Sequence, residues 1–140
     1  MSFRLRQVIR FADVDSAGIV YYPRFLHYCH VAMEEYFQTV LARPYAQLIR
    51  TERLGFPAVR VEIDFQHPLR YGDEVDIEAA ILRVGETSLT WGFRFLGPED
   101  ERVFSQATVV TVGLHLDTFE KQRVPEWIRQ QARLPPAVPS

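Results

Sequence analysis

The first eleven residues alternate in character. Phe3, Leu5, Ile9 and Phe11, with Gln7 among them, fall on one side of an extended chain, and Arg4, Arg6 and Arg10 on the other. That period of two predicts a half-buried strand. A turn-like stretch, Ala12–Gly18, and a short apolar run, Ile19–Tyr22, lead to Pro23. The period then lengthens. Phe25, Leu26, Cys29, Ala32, Met33, Tyr36, Phe37, Val40 and Leu41 form a broad stripe at helical spacing, with Arg24, Glu34, Glu35 and Gln38 mostly off it. This predicts a helix from Pro23 to about Ala42. Pro23 suits the first turn, where its missing N–H costs nothing, and Pro44 ends the helix. A short second helix is expected over Tyr45–Arg53, closed by Gly55.

The period of two then returns. Ala58–Gln66 alternates through Val59, Val61, Ile63 and Phe65. Tyr71-Gly72-Asp73 reads as a turn, Glu74–Val84 as a strand, Gly85-Glu86 as its end and Thr87–Leu96 as the next strand. The turn Gly97–Asp100 precedes a long Val- and Thr-rich strand, Val103–Leu116. A polar turn, Asp117–Arg123, and a helical turn, Pro125–Arg129, close the pattern. Short turns between successive strands imply antiparallel pairing. The apolar face of such a sheet needs a cover, and the long helix is the one element able to supply it. The expectation is an α+β chain of the hot-dog type, with an antiparallel sheet of five to six strands wrapped around a long central helix. The chain has 140 residues, enough for one domain. It is placed at 1–134, with a flexible tail at 135–140.

Composition narrows the function. The formal net charge is −2, which gives no footprint for nucleic acid. Lys121 is the one lysine among sixteen basic residues. Coding bias explains this arginine excess as well as phosphate recognition by guanidinium forks does. A single cysteine, Cys29, rules out an internal disulfide. The N-terminal run lacks the apolar core of a signal peptide, and no apolar run approaches the ~20 residues of a membrane span. A cytoplasmic protein is therefore expected.

Chemistry concentrates at one place. The chain has no G-x-S-x-G elbow, no phosphate loop, no G-x-G-x-x-G and no C-x-x-C. His27, Cys29 and His30 lie together on the helix, but a zinc site needs a further ligand that no motif supplies, so no metal is expected. His30 also stands four residues before Glu34, a spacing that pairs them on a helix surface. The segment Asp13-Val-Asp15-Ser-Ala-Gly18-Ile-Val-Tyr-Tyr22-Pro23 sets a carboxylate in the loop before a helix N-terminus. Asp13 or Asp15 could simply cap a turn. A carboxylate beside free helix N–H groups also suits acyl transfer, because those groups can stabilise an oxyanion.

The run F-A-D-V-D-S-A-G-I-V-Y-Y-P-R-F-L-H-Y-C-H-V-A-M-E-E-Y-F resembles the signature of the 4-hydroxybenzoyl-CoA thioesterase family, D-x-D-x-x-G followed by an aromatic-rich helix. Pro68–Asp73 resembles the family's P-x-x-x-G-D turn, and V-P-E-W-I-R its usual ending. The resemblance implies hydrolysis of an acyl-CoA, with coenzyme A as part of the substrate and no other cofactor. It implies Asp15 as nucleophile or general base, and Tyr22 as the residue whose backbone N–H polarises the thioester carbonyl. Gly18, Tyr21 and Pro23 fall beside the substrate, whereas Asp13 matches an acidic position without a catalytic role. The family often has Glu or Asp where His30 stands; the C-H pair before an acidic, aromatic helix is similar to dihydroxynaphthoyl-CoA hydrolases. The basic cluster that holds CoA phosphates in the family is replaced by Gly85-Glu86-Thr87, which leaves Arg60, Arg70 and Arg83 as candidates. A homodimer or homotetramer is implied. Tyr21, Tyr22, Phe25 and Tyr28 suggest an aromatic-lined acyl pocket, though aromatics at helical spacing also serve as core. Aryl and short aliphatic acyl groups both stay open. Two other readings remain: a hydratase or dehydratase using His30 with Glu34, and a non-catalytic acyl-CoA or acyl-carrier binder.

Overall fold

A computed structural model describes residues 3–132; the expected domain's ends at 1–2 and 133–134 and the tail at 135–140 lie outside the described residues. The elements are β1 (Phe3–Val8), α1 (Arg24–Thr39), α2 (Tyr45–Gln47), β2 (Leu54–Gly55), β3 (Ala58–Phe65), β4 (Glu74–Val84), β5 (Ser88–Leu96), β6 (Val103–Val112), β7 (Leu114–His115) and α3 (Glu126–Ala132). Five strands form one antiparallel sheet in the order β1-β4-β5-β6-β3. β2 and β7 pair apart from it.

The sheet's inner face meets α1. Leu89, Trp91, Phe93 and Phe95 alternate along β5 and are buried, as period-two geometry requires. From the helix, Phe25 meets Phe95 edge to face with ring centroids 5.1 Å apart, and Tyr36 meets Trp91 likewise at 5.2 Å. The outer face carries charge instead. Glu78 is 1% exposed, yet it accepts from Arg94 Nε at 2.7 Å and from Arg4 at 3.1 Å. Two arginines thus hold a carboxylate that would be costly to bury alone.

Several local expectations change. α1 stops at Thr39 rather than Ala42, because Ala42 turns left-handed (φ 57°) and Arg43 N–H returns to the Phe37 carbonyl at 2.9 Å. That closure satisfies a terminal carbonyl before Pro44 is reached. The second helix runs from Tyr45 into a wide π-type turn, Leu48–Glu52. Arg53, at φ 54°, ends it, while Gly55 lies in β2 with Leu116 packed against its backbone. The strand foreseen from Val103 to Leu116 breaks at Gly113, whose N–H goes to Thr87 at 2.7 Å, and β7 then leaves the main sheet. Phe11 is exposed, since β1 ends at Val8 and the chain turns away.

β3 differs most from its pattern. Its alternation predicted one buried face, but β3 is the sheet's edge and is exposed along its length except at Ile63. Val59, Val61 and Phe65 are exposed in the described fold, although Val61 borders an apolar cavity and the Phe65 ring lies 5.0 Å, centroid to centroid, from Phe25. An exposed apolar edge is a ready template for pairing with another strand.

Candidate active site

Asp15 opens a tight hairpin. Its N–H donates to the Ile19 carbonyl at 3.0 Å, Gly18 N–H donates back to the Asp15 carbonyl at 2.9 Å, and Val14 pairs with Val20. A three-residue hairpin loop ends on a left-handed residue, and Gly18 supplies it at φ 78°. Asp15 Oδ1 accepts the Ala17 N–H at 2.9 Å, the local bond that favours Asp at the head of a turn. The side chain is exposed, and Oδ2 has no partner among the described residues.

The hairpin's second arm docks on the approach to β4. Val20 N–H donates to Leu69 at 2.8 Å, Ile19 pairs with Arg70, and Tyr21 N–H donates to Asp13 at 2.8 Å. The chain then enters α1. Arg24, Phe25 and Leu26 N–H groups return to the carbonyls of Tyr21, Tyr22 and Pro23. Pro23 takes the N-cap position and has no N–H. The Tyr22 N–H finds no acceptor among the described residues, so it is an open donor at the positive end of the helix.

Asp13 has a different task. It is buried, accepts the Arg10 N–H at 3.0 Å and lies 3.5 Å from Arg24 Nε. The buried Tyr28 hydroxyl has no partner in full hydrogen-bonding geometry among the described residues, but burial first, and then nearby Asp13, hold it protonated well above its ordinary range. Asp13 thus ties the hairpin to α1.

The described residues also line an apolar cavity of about 540 Å³ that is open to solvent on one side. Leu26, Cys29, His30 and Met33 of α1 form one wall, Trp91, Phe93 and Val109 of the sheet another, and Phe56, Leu116 and Phe119 line the flap around β2 and β7. Burial pushes the Cys29 thiol up to about 12, so it is a neutral wall atom rather than a nucleophile. His30 Nδ1 donates to Glu34 at 2.9 Å. A second cleft of about 270 Å³ runs beside Tyr22, Phe25 and Phe65.

A model of the thioesterase-like superfamily matches residues 9–132. The chain belongs to that superfamily. This thioesterase is 31% identical over 123 residues to a 1,4-dihydroxy-2-naphthoyl-CoA hydrolase of Synechococcus elongatus, covering 88% of each chain. It is 27% identical to a hydrolase of the same name from Trichodesmium erythraeum, over 93% of this chain and 94% of the relative. Among solved structures it is similar to a gentisyl-coenzyme A thioesterase, with TM-score 0.82, 27% identity, and 91% and 99% of the two chains covered. A 1,4-dihydroxy-2-naphthoyl-CoA thioesterase from Synechocystis shares the fold, with TM-score 0.84 at 23% identity over 94% and 96%. The fold is that of the hot-dog thioesterases.

The structure places the sequence-derived residues as follows. Asp15, Gly18, Tyr21, Tyr22 and Pro23 cluster in the hairpin and at the head of α1, and the Tyr21 and Tyr22 rings meet at 5.5 Å. Of the four aromatics proposed to line an acyl pocket, Phe25 and Tyr28 are core residues, whereas Tyr21 and Tyr22 are exposed. The three arginines do not converge. Arg60 and Arg83 share one register row across β3, β6, β5 and β4, about 14 Å apart at ~4.8 Å per strand. Arg60 is ion-paired with Glu62. Arg70 lies beyond the other end of β4, in a polar depression with His67 and Arg102. Trp91, Phe56 and Phe119, which line the apolar cavity, were missed. They come from three separate segments, and only the folded chain brings them together.

Proposed function

We propose that the protein hydrolyses an aryl-CoA thioester of the hydroxynaphthoyl class, releasing CoA and the free aromatic acid. What supports this reading is the Asp15 hairpin, whose exposed carboxylate stands in the loop that leads directly to an open N–H at the head of α1. In this account the thioester oxygen sits at the Tyr22 N–H. One such donor typically contributes roughly 2.7–4 kcal/mol to the transition state. Asp15 takes a proton from water as the water oxygen bonds to the carbonyl carbon; the C–S bond then breaks, and the departing thiolate recovers the proton. The alternative is direct attack by Asp15, which gives a mixed anhydride that water then opens.

The acyl class is supported by the names of the relatives and by the apolar cavity of about 540 Å³, a size suited to a bicyclic ring. Arg70 with Arg102 offers guanidinium charge for CoA phosphates; neither side chain has a carboxylate partner among the described residues. A second copy paired along β3 would cover Val59, Val61 and Phe65 and close the cleft beside Tyr22. The buried lone thiol of Cys29 fits a reducing, cytoplasmic setting.

The test is thiol release from a panel of CoA thioesters. Hydroxynaphthoyl and hydroxybenzoyl thioesters are expected to turn over faster than acetyl, butyryl or palmitoyl ones. Preference for an aliphatic member would overturn the acyl assignment, and no thiol release from any member would overturn hydrolysis itself.

A further inference from the structure

One residue on the rim of the apolar cavity stands in a conformation that its side chain disfavours. Phe119 has φ 59°, in the left-handed region, where a bulky residue is a genuine outlier because its Cβ crowds the following carbonyl oxygen. Burial does not offset this strain, since the residue is 71% exposed and its ring meets no other aromatic ring among the described residues. The loop itself is held by other groups. Phe119 N–H donates to the His115 carbonyl at 2.7 Å, His115 N–H to the Glu120 carbonyl at 2.9 Å and Asp117 N–H to His115 Nδ1 at 3.2 Å, and Leu114 pairs with Lys121. None of these bonds uses the Phe119 side chain.

The cavity gives the ring a task. Phe119 lines it together with exposed Leu26 and His30 of α1 and exposed Ala58 and Val61 of β3. These residues form the rim on the solvent side, and Phe119 is the most exposed large apolar residue among them. Leu26 follows Tyr22 by four residues, about one helical turn, so the cavity begins one turn from the proposed thioester position and continues along α1 to Met33. Strained residues of this kind persist where the surroundings over-determine them, and they concentrate at ligand clamps. We infer that Phe119 caps this cavity: its strained turn holds the ring at the open side, where it packs on the outer ring of a fused two-ring acyl group and favours naphthoyl over benzoyl thioesters. The inference rests on the aryl-CoA reading above and adds to it the residue that distinguishes two rings from one.

The test uses the intact protein carrying Phe119→Ala, Phe119→Gly or Phe119→Tyr. Each is assayed on 1-hydroxy-2-naphthoyl-CoA and on 2-hydroxybenzoyl-CoA, which differ only in the second ring. Alanine and glycine should both lower the naphthoyl-to-benzoyl ratio of kcat/KM by about three- to tenfold, the contribution of one aromatic pair. The benzoyl value should change little, and tyrosine should keep the wild-type ratio. Both truncations lack the ring, but alanine alone keeps the left-handed strain, so Phe119→Gly should melt roughly 2–5 °C above Phe119→Ala. An unchanged ratio in the two truncations, whether from no loss or from equal loss on both thioesters, overturns the cap and leaves the thioesterase reading intact. A glycine variant no more stable than the alanine variant overturns the strained placement on which the cap depends. A wild type that hydrolyses neither aryl thioester overturns the aryl-CoA reading and the cap together.

Discussion

Gly18 and Gly72 form a natural pair for separating loop geometry from stability. Both have left-handed backbones, at φ 78° and 89°, and a Cβ added at either meets nothing within 4 Å. Alanine therefore introduces backbone strain and no clash. The strain of an L residue in that region is about 1–2 kcal/mol. For a domain of this size, that lowers Tm by roughly 3–10 °C. The two glycines differ in what they hold. Gly18 N–H bonds the Asp15 carbonyl, whereas Gly72 N–H bonds Ile9 at 2.9 Å, at the turn into β4. A shift of about 1 Å in a catalytic group can cost on the order of 10²-fold in turnover. Gly18→Ala should thus lose most of its kcat and Gly72→Ala little, at similar cost in Tm. The assays are thermal unfolding and thiol release on the same preparations. Equal kcat losses in the two variants, or full kcat in Gly18→Ala despite a lowered Tm, would refute the claim that the Asp15 hairpin sets the chemistry.

Other consequences can be checked separately. Val59→Glu puts charge on the exposed β3 edge, outside the cavity lining; sedimentation should show a smaller assembly than wild type, with activity falling alongside, and an unchanged mass would count against β3 pairing. Arg94→Ala removes one of the two partners of buried Glu78 and should lower stability by about 1–3 kcal/mol in a denaturant melt, with kcat little changed. Cys29 holds its proton in the fold up to about 12, against an ordinary thiol value of 9.0. The unfolded chain therefore ionises first, and this group's contribution to stability is full below pH 9 and declines as pH rises toward 12. Iodoacetamide at pH 8 should label native protein far more slowly than unfolded protein, and equal rates would show that Cys29 is not sealed in the core.

The parts legible in the sequence were those written locally. The long stripe from Phe25 to Leu41 fixed the helix that covers the sheet, and the β4 limits, Glu74–Val84, were read as found. The Asp15-to-Gly18 turn was legible for the same reason, since Asp at a turn head and a left-handed glycine are local signals. What escaped depended on tertiary neighbours. Alternation along β3 shows that two faces differ, but not that the strand lies at an edge with its apolar side open. Gly113 lies inside the run Val103–Leu116 that reads as one strand, but its N–H leaves for Thr87. Gly55 looked like a helix stop, yet Arg53 took the left-handed position, held by bonds to Ile49 and Asp117. The cavity wall escaped most fully, because Phe56, Trp91 and Phe119 share no segment.

The central claim is that the Asp15 carboxylate performs the hydrolysis, and Asp15→Asn tests it most directly. Asparagine keeps an oxygen to accept the Ala17 N–H, so the turn seen at 2.9 Å can persist, while the charge and the proton acceptor are lost. Thiol release from the preferred aryl-CoA should fall by about 10²–10⁴-fold, with Tm close to wild type. Turnover within about threefold of wild type in the folded variant would contradict the account, since general-base catalysis contributes at least about 10²-fold.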